Sequence, residues 1–416
     1  MTQTAQDTGL RLLQAGAVVD AAGVQASPGV LLVDGSTVVA AGAPAQIGSV
    51  PEAIIESHAQ SVLLPAMVNP HTHLDLSALA PRPFEGDFDT WLLAIGDMRR
   101  AQQAEDRCRD VQRGIDLSLA GGTAWVGDIA GHGHREAIEV LRSSPLEGTV
   151  FVEYFGLGAN QPAAAESMQA LVRDVALDLD GVRLGISPHA PYSCGAKVYE
   201  AALATGLPMA THLAESLEEE EMLATATGPM RDLCERLGAW NDSATMPGVH
   251  PVLAMEPLLA QRPSIAVHLN YIEEDHVEVL ARTGTHVIYC PRASDYFGHP
   301  HGGRSEHRYA QLIDAGVPVA LATDSLQCLD TPDRISPLDE MRHLHVRDGA
   351  DPMMLLAMAT VHGAQALDRD PREVTFAPGP VAGVIAVDGL GARAAGLAGV
   401  LSTRHAPRWV VGPAGS

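Results

Sequence analysis

Short apolar runs rich in β-branched residues alternate with longer stretches of helical spacing through most of the chain. Eight runs stand out, at 62–69, 123–129, 148–154, 183–188, 207–212, 264–269, 285–289 and 317–323. Each precedes a segment of helical period or high helix propensity, such as 89–122 and 332–346. Strands that alternate with helices pair in parallel, and eight such units close a barrel, so a (β/α)8 TIM barrel is predicted over 60–374. An open doubly wound sheet is the alternative, disfavoured because no G-x-G-x-x-G follows the first run. The chain's ends read differently. Residues 10–58 hold short strands, with Asp34-Gly35 suited to a tight hairpin turn, and 379–389 and 409–412 show the same habit. Residues 1–59 and 375–416 are therefore predicted to form a small β-sandwich domain together.

Composition narrows the function classes. A chain of 416 residues with 46% hydrophobic content can bury a large core beside a smaller domain. Its formal charge of −24 argues against nucleic acid, whose binders need a basic face. Glu218–Glu221, four carboxylates in series, reads as solvated acidic surface. Five scattered cysteines with no C-x-x-C pair fit reduced thiols of a cytoplasmic protein. The N-terminal stretch lacks the pattern of a signal peptide, and no segment runs 18 apolar residues, so neither secretion nor a membrane is expected.

The chemistry-bearing residues fall at the ends of the apolar runs: His71 and His73 after the first, His212 and Glu215 after the fifth, His268 after the sixth and Asp324 after the eighth. On an extended segment, residues two apart point to one side, so His71 and His73 can ligate one cation together. The other His-x-His pairs are weaker. His343 and His345 lie in a helical pattern that turns them apart, and His132/His134 and His299/His301 sit in Gly-rich loops where they could line a pocket. Three imidazoles and a carboxylate would leave a divalent metal an open position for water, whose pKa falls to about 7 when so held. Glu215 and Asp324 then supply two carboxylates in different settings, which suits a paired general acid and base.

In the order NPHTH, THLAES, VHLN and LATDS over 69–325, with SPHAPYS at 187–193 and the terminal β-pieces, the chain resembles the metal-dependent amidohydrolase superfamily, within its cytosine/adenosine-deaminase-like branch. The resemblance implies one divalent metal held by His71, His73, His212 and Asp324, with zinc expected and iron or manganese as alternatives. A lysine-bridged pair of metals is not expected, because the single lysine, Lys197, lies well beyond the fourth run. It further implies that Asp324 carries a proton from water to a leaving amine, that Glu215 protonates the adjacent ring nitrogen, and that His268 steadies the developing negative charge. His189 and Glu153 are expected to contact a small nucleoside substrate beyond its reacting ring. The branch's usual H-N-P-x-S-N loop appears here as Tyr289-Cys290-Pro291-Arg292-Ala293-Ser294-Asp295. In this form it resembles the branch members that act on 6-aminodeoxyfutalosine, an adenine nucleoside with a carboxyphenyl ketone, on the futalosine route to menaquinone. Arg292 or Arg82 would meet the carboxylate of such a tail. Deamination of adenosine, S-adenosylhomocysteine or methylthioadenosine is the alternative, and an amide-cleaving or chloride-displacing hydrolase is a further one. Branch relatives are often homo-oligomers.

Overall fold

The apolar run at 62–69 divides between two sheets. The computed structural model describes residues 9–175, 178–179, 181–389 and 396–413, so the outermost residues of both terminal pieces lie outside the described residues. A long strand, Ile54–Pro65, belongs to a sheet built from the chain's two ends, and the barrel begins only at Met67. Val62–Pro65 pairs with Val384–Val387 across an antiparallel ladder. These four residues are buried, as are Met67–Thr72. A segment apolar throughout therefore carries no mark of where it passes from one sheet to the next, which happens at Ala66.

The terminal segments form one eight-stranded sheet. Leu10–Val19 and Ile54–Pro65 run parallel at its centre, flanked by antiparallel hairpins from each end of the chain. Asp34 pairs with Thr37, so the first hairpin turns on Gly35 and Ser36, with Gly35 at φ 56°. Trp409 docks this sheet on the barrel by donating Nε1–H to the Leu119 carbonyl at 2.9 Å.

The barrel strands are β1 (Met67–Thr72), β2 (Thr123–Ala130), β3 (Glu147–Tyr154), β4 (Val182–Pro188), β5 (Ala210–Leu213), β6 (Ile265–His268), β7 (His286–Tyr289) and β8 (Val319–Leu321). They match the eight apolar runs in order. β1 to β4 make one parallel arc and β5 to β8 another. Parallel bridges Ile186↔Met209 and Thr72↔Asp324 join the arcs at both seams and close the barrel. At the β1/β8 seam Asn69 donates Nδ2–H to Thr323 Oγ1 at 2.8 Å and accepts the Thr323 amide at 3.1 Å. Helices follow the strands, and the predicted helical stretch at 89–122 is two helices, Phe88–Ala101 and Ala104–Ala120.

One local distortion aims the site. Pro70 has no N–H to give the ladder, and the β1/β2 register shifts between Asn69 and Thr72. The Pro70 carbonyl then crowds β2 so closely that a Cβ at Gly127 would lie 2.2 Å from it. Only glycine fits opposite this bulge, which turns the His71-Thr72-His73 segment at the barrel's rim.

Candidate active site

All six residues expected to carry chemistry gather at the C-terminal ends of the barrel strands, the end where TIM barrels place their sites. His71 lies in β1, His212 in β5 and His268 ends β6, whereas His73, Glu215 and Asp324 lie just beyond strand ends. His71 sits 5.1 Å from both His73 and His212 and 5.6 Å from His268, ring centre to ring centre. One ligand atom from each of His71, His212 and His268 falls within 4.8 Å of the others, and the same holds for His71, His73 and Asp324 and for Glu215, His268 and Asp324.

The donor set fits a metal. His71 is fully buried, yet neither of its ring nitrogens has a protein partner. Buried polar atoms are nearly always satisfied, so such a ring calls for a ligand. Burial holds the imidazoles of His71, His73 and His268 well below their usual pKa and that of His212 at about 4, which keeps their lone pairs free. The His212 Nδ1–H donates to the His189 carbonyl at 2.9 Å and so turns Nε2 toward the cluster. Asp324 Oδ1 stands 3.5 Å from His73 Nε2 and accepts the Ser325 amide at 2.7 Å.

The backbone is bent to present two of these groups. His268 and Asp324 adopt left-handed conformations, with φ 75° and 59°, and Ala214 between His212 and Glu215 does so at 49°. Non-glycine residues in this region carry strain that persists only where surrounding structure imposes it. Asp324 is held by Thr72, whose hydroxyl donates to its carbonyl at 3.1 Å. Burial pushes the Asp324 carboxyl up to about 7, partly offset by the Ser325 amide. Glu215 is raised well above the carboxylate range by burial first and by Asp324 second, and its Oε1 lies 3.4 Å from His268 Nε2.

His189 and Glu153 stand side by side on the β3/β4 rim. His189 Nε2 lies 3.9 Å from Glu153 Oε1, a buried oxygen with no hydrogen-bond partner, and the His189 ring is 5.0 Å from that of His212. Burial raises Glu153 to about 7 against the pull of Arg99.

Arg292 is placed otherwise than expected. Its Nε donates to buried Glu340 at 2.6 Å and its Nη1 to Asp330 and Thr331, both at 3.0 Å. Every paired edge of the guanidinium needs Nε or Nη1, so no bidentate face remains for a substrate carboxylate, and the residue ties the short helix Pro291–Phe297 after β7 to helix Pro337–Asp348. Arg82 is exposed at the rim beside the Tyr296 phenol. With the Gln327 amide in the orientation that satisfies both groups, the amide oxygen accepts from Arg82 Nε at 2.5 Å and Nη2 at 2.9 Å. Gln327 lies three residues past Asp324.

The acidic run also needs correcting. Glu219 is buried rather than solvated, and its Oε2 accepts the Glu215 amide at 2.8 Å while burial raises its pKa to about 8. Ser216 caps the helix Leu217–Thr225 by accepting the Glu219 amide, which brings the glutamate back under its own turn. Glu220, by contrast, pairs with Arg304 at the surface.

No motif in the sequence marks Arg99. From helix Phe88–Ala101 it donates to Asp75 at 2.9 Å and Glu153 at 3.2 Å, and its Nη2 lies 3.2 Å from His73 Nδ1. Neighbouring Arg100 pairs with exposed Asp97, and nothing in the sequence distinguishes the two arginines. Arg99→Met would strand two buried carboxylates and is expected to destabilise the fold by about 3–5 kcal/mol. Denaturant unfolding checks this; a loss under about 1 kcal/mol, the surface-pair range, would contradict it.

A closed (β/α)8 barrel whose rim gathers imidazoles and carboxylates suited to a divalent cation places this chain among the metal-dependent hydrolases. The chain belongs to the amidohydrolase family, whose model matches residues 62–408. It is 31% identical over 378 residues to an aminodeoxyfutalosine deaminase of Deinococcus radiodurans, with 85% of each chain covered. It is 25% identical to a 5-methylthioadenosine/S-adenosylhomocysteine deaminase of Syntrophobacter fumaroxidans, over 79% of this chain and 72% of that one. Among solved structures, Helicobacter pylori aminofutalosine deaminase in complex with methylthio-coformycin superposes with a TM-score of 0.76 at 22% identity, covering 95% of this chain and 97% of the other. An adenosine deaminase from Xanthomonas campestris with bound zinc superposes at 0.70 and 20% identity, covering 97% and 92%. No helix among the described residues is long and apolar enough to cross a membrane.

Proposed function

We propose that this protein is a zinc-dependent cytoplasmic aminohydrolase that converts an adenine nucleoside to its hypoxanthine form with release of ammonia, and that 6-aminodeoxyfutalosine is its substrate, in menaquinone biosynthesis. The observation that carries the reading is the fully buried His71 imidazole, without a hydrogen-bond partner, at the meeting point of His73, His212, His268 and Asp324, in a chain 31% identical to an aminodeoxyfutalosine deaminase. His71, His73, His212 and Asp324 would hold the cation. When bound, it makes water a nucleophile at neutral pH. Asp324 accepts the proton of the attacking water and delivers it to the departing amine. Glu215, whose protonated form burial favours, donates to the ring nitrogen beside the reacting carbon, and His268 fixes Glu215 and the charge that develops there. Glu153 and His189 meet the sugar. The barrel is one unit and the terminal sheet, expected as a sandwich, is the second.

The deciding experiment offers zinc-loaded protein 6-aminodeoxyfutalosine beside adenosine, S-adenosylhomocysteine and methylthioadenosine, and follows ammonia together with the adenine-to-hypoxanthine absorbance change. A kcat/KM at least about tenfold higher on the first supports the substrate, a gap of about 1.4 kcal/mol. Preference for a sulfur nucleoside transfers the reading to the activity named for the Syntrophobacter relative, and silence on all four ends it.

Arg82 receives the tail's carboxylate, since it is exposed at the rim beside Gln327 and Tyr296. Arg82→Met is expected to raise KM for the carboxylated nucleoside about tenfold or more, the range of a charge-assisted hydrogen bond, and to change KM for adenosine far less. Equal changes on both substrates would remove Arg82 from the tail's site.

A further inference from the structure

The strained turn at the end of β6 has a dedicated support. His268 at φ 75° is followed by Leu269 at φ 55°, so two consecutive non-glycine residues occupy the left-handed region. Such a turn does not hold itself. Its neighbours anchor part of it: the Leu269 amide donates to the Leu213 carbonyl at 3.0 Å, the Tyr271 amide to the Ala214 carbonyl at 3.1 Å, and Asn270 donates Nδ2–H to the Glu215 carbonyl at 3.1 Å.

The His268 carbonyl itself is taken by a residue far along the chain. His307 Nε2 lies 2.7 Å from that oxygen, and both residues are buried. A carbonyl can only accept, so Nε2 carries the proton and the ring's orientation is fixed. That ring is clamped flat against Tyr289 at the end of β7, at 3.7 Å between centres and 16° between planes. The segment bearing His307 is tied down in turn. Arg308 donates to the Ile272 carbonyl at 2.9 Å and to Glu273 at 2.6 Å, on the far side of the same turn.

We infer that His307 is a positioning residue for catalysis: its Nε2–H, braced by Tyr289, holds the left-handed His268 peptide and thereby aims the His268 imidazole at Glu215 and the metal cluster. This rests on the deaminase reading for its kinetic consequence but not for its geometry. Without the donor, the turn can relax toward ordinary extended backbone, and a rotation about the His268 φ swings the imidazole away from Glu215 Oε1. The effect falls on the chemical step rather than on substrate capture or metal binding, because none of the four ligands is moved.

The test compares His307→Leu and His307→Gln in zinc-loaded protein. His307→Leu removes the donor and is expected to lower kcat about tenfold to a hundredfold, as loss of a supporting partner does, with KM within about twofold and zinc still bound. His307→Gln keeps an N–H within reach and is expected to recover a substantial part of the loss. Nitrogen NMR of histidine-labelled, zinc-loaded protein, with the His268 signal assigned through His268→Asn, gives a readout that does not depend on turnover: the His268 ring signal shifts in His307→Leu and returns toward its wild-type position in His307→Gln. An unmoved His268 signal in His307→Leu, or in His307→Gln a loss of kcat as large as that from leucine, overturns the proposal. If the leucine variant does not fold, His307→Gln with Tyr289→Leu decides it by the same signal. Should wild-type protein turn over no adenine nucleoside, the deaminase reading fails, and the NMR comparison still decides the role of His307.

Discussion

Glu215→Gln is expected to cut kcat on an adenine nucleoside by about 10²–10⁴-fold, the span that general acid–base groups supply, while zinc content and fold are retained. The carboxyl is buried, lies 3.4 Å from His268 Nε2 and is raised well above the carboxylate range by burial, then by Asp324. A raised pKa favours the protonated form, which suits a donor to a ring nitrogen. Glutamine preserves size and the ability to hydrogen-bond but cannot give up a proton. The backbone around it does not depend on the carboxyl, since the Glu215 amide is satisfied by Glu219 and its carbonyl by Asn270. Steady-state kinetics beside metal analysis reads the result. A loss smaller than about tenfold at full zinc occupancy would fall below the range of general acid catalysis, deny Glu215 the acid role and favour an enzyme that displaces a better leaving group needing no proton.

The barrel could be read because its strands are buried on both faces, as a parallel sheet covered by helices requires, and so appear as short apolar runs with polar stretches between. The proposed ligands stand out in the sequence because each sits where a run stops. Both signals are local. What escaped is set by contacts between distant segments. Val62–Pro65 belongs to the terminal sheet through its pairing with Val384–Val387, more than three hundred residues on, and its own apolar character is the same in either sheet. Arg99 and Arg100 are adjacent, yet helix Phe88–Ala101 turns one onto Asp75 and Glu153 and the other to solvent. Glu219 reads as one of four surface acids until the Ser216 cap folds it beneath Glu215. Arg292 fails in the opposite direction: its place in a rim loop suggested a substrate contact, but Glu340 on a later helix had already engaged it. His307 has no motif at all, since its meaning lies in the carbonyl of a residue thirty-nine positions earlier.

Asp324→Asn is expected to lower kcat by about 10³-fold or more, because the residue is assigned both a place beside the metal and the proton shuttle, and the shuttle alone accounts for 10²–10⁴-fold. Asparagine is the informative replacement for a backbone reason. Asp324 sits at φ 59°, and asparagine is among the few side chains that tolerate the left-handed region. The Ser325 amide can still find an oxygen on the new side chain, and the Thr72 hydroxyl still donates to the unchanged carbonyl. Asp324→Ala would add strain in that region to the loss of the carboxylate and confuse the two. The asparagine variant should therefore melt within a few degrees of wild type while losing turnover. Zinc titration separates the two assigned roles. If the variant binds zinc as tightly as wild type yet is inactive, proton transfer dominates the loss; if affinity falls with turnover and excess zinc restores activity, ligation dominates. Activity within about tenfold of wild type, less than a catalytic proton shuttle supplies, would exclude Asp324 from both.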